Sequence, residues 1–483
     1  MTTIENKLAD LAKKSAALEP DENTRNAWLN TLQNYCNNYI NTLSDKPTFN
    51  QNTQLNLADL RIDNHKKTLD SLLKTYTKEV VDNGLKPSSG GHIGYVPGGG
   101  IFTSALGDYL AAVSNEYAGI FYGSPGAVSM ENELINWFKD LFHFPSDAVG
   151  NLTSGGSIAN LIALTAARDA HQIKGEKIEK SVVYLSPQVH HCIHKALRII
   201  GLEDVIVHHL ILDENFRIDH IKLEQQIKVD LQQGLHPFCI IGSAGTTDTG
   251  AIDPLDILGD ISKKYNTWFH IDGAYGGFFI LVDAKKDAFK GIEKADSLVI
   301  DPHKGLFLPY GLGAVLVKDK KAVFKSHHYF ASYMQDAFTD DILNPADVSP
   351  ELTKHFRGLR LWLPLKLHGI EPFIACLEEK LVLTEYFRNQ LSALDFKVGP
   401  LPDLSISYFW YPTDEKALEN KFNETLMTEI HKDGTVFFSS TVINGSYVIR
   451  MALLSFRTKK ETIDKAIEMI KRCLARTKKQ LDI

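Results

Sequence analysis

Apolar positions fall into three successive regimes along this chain. Up to about residue 85 they recur at helical spacing. Ile4, Leu8, Leu11 and Leu18 form one stripe, and Trp28, Leu32, Tyr35, Tyr39 and Leu43 a second. After a polar stretch over 44–54 that contains Pro47, Leu69, Leu73, Tyr76 and Val80 form a third. The stripes are narrow, so these helices need the main body or a second subunit to lie against. From about Gly90 to Trp362 short apolar runs alternate with helical segments, and the runs predict strands over 182–186, 238–243, 268–271, 297–300 and 314–317. Strands rich in Val, Ile and Phe and separated by helices read as an α/β unit with a mostly parallel sheet. Beyond Trp362 the pattern predicts a long helix, strands over 436–439 and 447–451, and a closing helix from Lys460 with Ile463, Ala466, Ile467 and Ile470 on its apolar face. The expected division is a helical segment over 1–90, a large α/β domain over 91–365 and a small α+β domain over 366–483.

Composition narrows the class without choosing a function. The chain has 483 residues, 44% of them hydrophobic and 23% charged, as expected for a soluble globular enzyme of more than one structural unit. A formal charge of −7 argues against a nucleic-acid partner. Cys36, Cys192, Cys239, Cys376 and Cys473 are odd in number and widely spaced, which suggests reduced thiols rather than a disulfide framework. The N-terminal residues mix charges and lack an apolar segment, and no run is long enough to span a bilayer. These features predict a cytoplasmic protein with no membrane partner.

The candidate chemistry lies at the predicted strand ends, where parallel sheets place their ligands. The run 296–304, Asp-Ser-Leu-Val-Ile-Asp-Pro-His-Lys, delivers the amine of Lys304 to the rim of a sheet. Desolvation there is expected to lower its pKa and leave more of it neutral and nucleophilic. A second run reaches a carboxylate at Asp272. A lysine that traps an aldehyde and a strand-end aspartate are the two groups pyridoxal phosphate (PLP) chemistry requires, although each alone also reads as an ordinary strand-end residue. Gly155, Gly156 and Ser157 precede a helical pattern over 161–170, which suits either a phosphate site or a plain helix cap. No Gly-Lys-Ser/Thr follows them, and Gly98 to Gly100 lack GxGxxG spacing, so nucleotide binding is not supported. His190, His191 and His194 follow a strand without a matching ligand set, so no metal is expected; His190 is better placed to stack on an aromatic cofactor. The Gly245–Gly250 run, with Thr247, could hydrogen-bond a phenolic oxygen or be a simple turn.

In order, these motifs resemble the PLP-dependent group II amino-acid decarboxylases, which include the aromatic amino-acid, histidine and glutamate decarboxylases. The resemblance extends to His92-Ile-Gly-Tyr95-Val-Pro97, Gly123-Ser-Pro125, His355-Phe356-Arg357 and Val448-Ile-Arg450-Met451, and covers roughly 90–460. It implies the fold type I architecture of PLP-dependent transferases, a mostly parallel central sheet with helices on both faces, in a homodimer. It implies that Lys304 holds PLP as a Schiff base, that Asp272 pairs with the pyridine nitrogen, that Ala274 lies under the ring and that His190 stacks over it. Thr247 would face the phenolic oxygen. Gly155, Gly156, Ser157 and His303 would gather around the phosphate, and Arg450 would recognise a substrate carboxylate.

Two departures stand out. Residue 301 is Asp where several relatives carry Asn or Ser, so a second anion would stand near the phosphate. The segment 325–352 resembles its relatives poorly; it is expected to be a mobile lid, with Tyr333 as the candidate proton donor and Tyr329 and Phe338 nearby. Tyr95, Phe121, Tyr122 and Gly98 to Gly100 suggest a partly aromatic pocket, although the aromatics suit a dimer core equally. The expected activity is decarboxylation of an aromatic L-amino acid to its amine and carbon dioxide. The alternatives are an aldehyde synthase or another carbon–carbon lyase on the same scaffold, and a catalytically idle PLP-fold binding protein.

Overall fold

The computed structural model describes residues 3–51, 54–328 and 343–482. A two-strand antiparallel pair, β1 (Phe49–Asn50) and β2 (Gly84–Leu85), ties the N-terminal segment together. The central sheet contains β3 (Val149–Thr153), β4 (Ser181–Leu185), β5 (Ile206–His209), β6 (His236–Ser243), β7 (Trp268–Gly273), β8 (Ser297–Ile300) and β9 (Gly313–Val317), in the spatial order β3-β9-β8-β7-β6-β4-β5. Only β9 runs against the rest.

Every residue of β3, β4, β7, β8 and β9 is buried, because helices cover both faces of the sheet. That two-sided cover is why these strands read as unbroken apolar runs rather than alternating ones. On β7, Phe269 and Ile271 pack into one core with Phe138, Leu258 and Leu298. Trp268 packs into the other, with Ala159, Ile162, Ala163 and Val299. The helix Gly156–Ala170 lies in this second layer and buries Gly156, Ala159, Asn160, Ala163 and Ala167. The architecture is thus the expected α/β fold with a mostly parallel sheet.

The C-terminal sheet, β10 (Lys397–Val398), β11 (Ile406–Trp410), β12 (Ser439–Ile443) and β13 (Ser446–Ala452), is antiparallel throughout. Helices Glu371–Ser392, Lys416–Asp433 and Lys460–Leu481 supply the rest of its core.

The structure departs from the pattern in three respects. Strands β1, β2, β3, β5, β10 and β11 were not anticipated. The strand expected over 436–439 begins instead at Ser439: Val436 and Phe438 are buried in the C-terminal core, and Phe437 forms only a single bridge to His92. At the N-terminus, helices Thr3–Ser15 and Glu22–Thr42 bury none of their residues. No helix among the described residues is long and apolar enough to cross a membrane.

Candidate active site

The carboxyl ends of β3, β4, β6, β7 and β8 converge on one cavity of about 290 Å³. Its wall includes Gly155, Gly156, Ser157, His190, Thr247, Asp272, Ala274, His303 and Lys304. Residues up to 149 positions apart in sequence (155 to 304) therefore meet where the sheet predicts a ligand.

One end of the cavity is built for an anion. β3 stops at Thr153, and Gly155 takes φ +151°, a backbone region closed to most side chains. The helix Gly156–Ala170 starts immediately after, so its first N–H groups and its dipole face the cavity. A Cβ on Gly156 would lie 3.0 Å from Asp301 Oδ2 and 3.3 Å from Ala274 Cβ, so a side chain there would fill the cradle. His303 Nδ1 lies 2.6 Å from the Leu312 carbonyl, which fixes it as the protonated nitrogen and leaves Nε2 on the other side of the ring.

Lys304 Nζ stands 2.9 Å from Asp301 Oδ2. Burial works against the ammonium, but Asp301, assisted by Asp272, outweighs it and holds the pKa above the ordinary lysine value. This corrects the expectation of a depressed pKa: desolvation operates as argued, but a carboxylate three residues earlier reverses the outcome. Asp301 Oδ1 is itself buried without a hydrogen-bond partner among the described residues.

Asp272 accepts hydrogen bonds from the Ala274 N–H (3.1 Å) and from Asn160 Nδ2 (3.4 Å). Burial raises its pKa, and the Lys304 charge pulls against that. The Cys192 N–H donates to His190 Nδ1 over 3.3 Å, so the neutral ring carries its proton on Nε2. Burial, followed by His191 and Lys304, pushes the His190 pKa down to about 4. The cavity therefore combines an amine, a deeply placed carboxylate, a neutral imidazole and a helix-terminus anion cradle, and this donor set fits PLP from phosphate to ring nitrogen.

Two predicted residues lie apart from this group. Arg450 is buried and outside the cavity wall: Nη1 donates to the Gly94 carbonyl (2.6 Å) and to Ser439 Oγ (3.1 Å), Nη2 to the Thr247 carbonyl (2.5 Å) and Nε to the Asp248 carbonyl (3.2 Å). Tyr95 is 55% exposed and packs edge-on against His92 and beside Phe437. Tyr333, with half of the predicted lid, lies outside the described residues. Sequence reasoning passed over Asn160, Ser243 and Gln188, which also line the cavity. Gln188 Oε1 accepts from Thr249 Oγ1 (2.6 Å) and Thr246 Oγ1 (3.2 Å), bracing the loop that carries Thr247. The one available signal was Asn160, a polar residue on the apolar stripe of its helix.

Comparison with known proteins agrees with this chemistry. The family model described as the pyridoxal-dependent decarboxylase conserved domain matches residues 52–409. An aromatic-L-amino-acid decarboxylase of Bacillus atrophaeus is 35% identical over 385 residues, 78% of this chain and 80% of that one. A phenylacetaldehyde synthase of Arabidopsis thaliana is 27% identical and covers 89% of this chain and 92% of its own. The solved structure of Oryza sativa TDC with PLP and tryptamine superposes with a TM-score of 0.89 at 20% identity, over 95% of this chain and 99% of that chain.

Proposed function

The chain belongs to the pyridoxal-dependent decarboxylases and is thus a PLP-dependent carboxy-lyase, and we propose that its substrate is an aromatic L-amino acid, converted to the amine and carbon dioxide. The observation that carries the site assignment is the convergence of Lys304 and Asp272 on one cavity closed at one end by the Gly155–Ser157 cradle. Bound PLP supplies a conjugated pyridinium that accepts the electron pair left at Cα when carbon dioxide departs.

The remaining steps belong to the chain. The Gly155–Gly156–Ser157 turn and His303 hold the phosphate, which fixes how deep the ring sits. Lys304 would hold the cofactor by its aldehyde through the side-chain amine. Asp272 holds a proton on the ring nitrogen, for which its carboxylate has to be ionised. His190 stacks on the ring as a neutral imidazole and Ala274 supports the opposite face. Thr247 meets the phenolic oxygen, and Tyr333 delivers the proton to Cα.

The aromatic preference is supported by the aromatic-L-amino-acid decarboxylase relative. We assign Arg450 the substrate carboxylate; its guanidinium also ties the Gly94 carbonyl to that of Thr247, which lines the cavity. A homodimer with the three-part organisation 1–90, 91–365 and 366–483 is part of the same reading. Its support is the exposure of Leu8, Leu11, Trp28 and Leu32 on the N-terminal helices and of Phe102, Tyr109 and Leu110 on the helix Phe102–Ser114. Such an apolar surface suits a second copy of the chain. A cytoplasmic location fits the cysteine usage.

A second reading, oxidative decarboxylation to an aldehyde, is favoured by the phenylacetaldehyde synthase relative. Release of carbon dioxide, amine and peroxide from each L-amino acid separates the two.

A further inference from the structure

Behind the cavity wall, a continuous line of side-chain hydrogen bonds runs to Asp272. Trp268, His270 and Asp272 are alternate residues of β7 and so share one face of the strand. Trp268 Nε1 donates to Ser297 Oγ over 2.8 Å, and Ser297 Oγ lies 2.8 Å from His270 Nδ1. His270 Nε2 lies 2.7 Å from Asn160 Oδ1, and Asn160 Nδ2 donates to Asp272 Oδ2. Ser297 sits directly opposite His270 in the β7–β8 register, and Asn160 comes from the second turn of the helix Gly156–Ala170. Asn160, His270 and Ser297 are completely buried, so their polar atoms are satisfied by neighbours in this line and, for Asn160 Nδ2, also by Cys192 Sγ at 3.5 Å.

The two ends set one direction for the whole line. An indole N–H can only donate, and an ionised carboxylate can only accept. Asn160 therefore turns its amide N–H toward Asp272, which leaves its oxygen facing His270. That oxygen requires the imidazole proton to be on Nε2. Nδ1 is then an acceptor, the Ser297 O–H donates to it, and the Ser297 oxygen accepts the indole N–H. Reversing any single link sets two donors or two acceptors face to face.

We propose that Asn160, His270 and Ser297 are positioning residues: a one-way donor chain, started by the Trp268 indole, ends on the Asp272 carboxylate, favours its ionised form and aims it at the cofactor's ring nitrogen. The inference rests on the reading that Asp272 meets that nitrogen. Burial opposes charge on Asp272, so a donor brought up from behind counts where solvent cannot help. Burial also pushes the His270 pKa down to about 3, so the imidazole is neutral and carries a single N–H, as a one-way chain needs.

The test is the protonation of the ring nitrogen in enzyme reconstituted with PLP carrying nitrogen-15 in the ring, followed by its chemical shift across the neutral and alkaline range. Asn160→Leu removes the last donor and is expected to weaken the nitrogen's hold on its proton by about tenfold, the scale of one hydrogen bond to a charged group. Ser297→Ala breaks the chain further back and shifts the same titration in the same direction by less, while Ser297→Thr, which keeps the hydroxyl, restores it. Residues that only pack the strand would lower the melting temperature and leave the nitrogen titration unmoved, and that result overturns the proposal. If Asn160→Leu does not fold, the contrast between Ser297→Ala and Ser297→Thr decides, and no contrast between them overturns it. Asp272→Asn is the control: if it too leaves the nitrogen unmoved, the placement of Asp272 is wrong, whereas a shift in Asp272→Asn alone removes only the relay.

Discussion

Asp301 and Lys304 form an ion pair, Nζ to Oδ2 at 2.9 Å, between the buried N-cap carboxylate of the short helix Pro302–Gly305 and a partly buried amine within it. The pair puts an anion beside the amine that has to attack an aldehyde. It also gives Lys304 a reason to keep its proton at neutral pH.

Cofactor loading should therefore be limited by that proton. Lys304 titrates above its ordinary value of 10.5, so the stability the pair gives to cofactor-stripped protein is complete below that value and fades as pH rises through the raised one. Loading, which needs the neutral amine, should accelerate as pH rises over the same alkaline range. Asp301→Asn removes the counter-charge and leaves burial to lower the lysine pKa, by on the order of one unit or more. Stopped-flow absorbance should show faster loading of the variant at neutral pH; equal rates would mean that the pair does not control the amine.

Lys304→Ala should abolish the cofactor adduct trapped by borohydride, read by mass spectrometry, together with multiple turnover. A retained covalent label would place the attachment on another residue.

Asp272→Asn should separate fold from chemistry. An acid that titrates above its ordinary value holds its proton more tightly folded than unfolded, so its charge costs the cofactor-stripped protein stability at neutral pH. The amide lacks that cost, and the melting temperature without cofactor should hold or rise. Turnover should fall by on the order of 3 kcal/mol in the barrier, because an amide cannot sustain a pyridinium. Near-normal turnover would assign the electron sink to another group.

Arg450→Lys should raise KM while leaving cofactor content unchanged. An ammonium cannot span four acceptors as the guanidinium fork does, so the Gly94 and Thr247 segments lose their common clamp. A lower melting temperature with KM unchanged would confine Arg450 to stability.

The parts of the site legible in sequence were those marked by backbone chemistry. Gly155 and Gly156 before a helix, Lys304 after one fully buried strand and Asp272 near the end of another carry signals that survive without coordinates, because strand runs end where parallel sheets bind. β3 was not visible, since Val-Gly-Asn-Leu-Thr has too few apolar residues to read as a strand; in the fold it pairs with β9 at the edge of the sheet and is buried throughout. The segment 436–438 misled because a short buried run looks the same whether it forms a ladder or fills a core, and here Val436 and Phe438 fill one. The raised Lys304 pKa was missed because periodicity does not show that Asp301 folds back onto the amine. Asn160 shows in the sequence only as a polar residue on an apolar stripe, and its role appears once His270 and Asp272 are brought to either side of it.

The most direct test of the central claim is product stoichiometry: carbon dioxide, amine, aldehyde and hydrogen peroxide measured together for each L-amino acid with the PLP-loaded enzyme. Carbon dioxide and amine are expected in equal amounts, greatest with an aromatic substrate, and with little peroxide, while Tyr333→Phe diverts product toward aldehyde and peroxide. Peroxide from the unmodified enzyme in proportion to carbon dioxide, or no carbon dioxide from any aromatic amino acid, would contradict the claim.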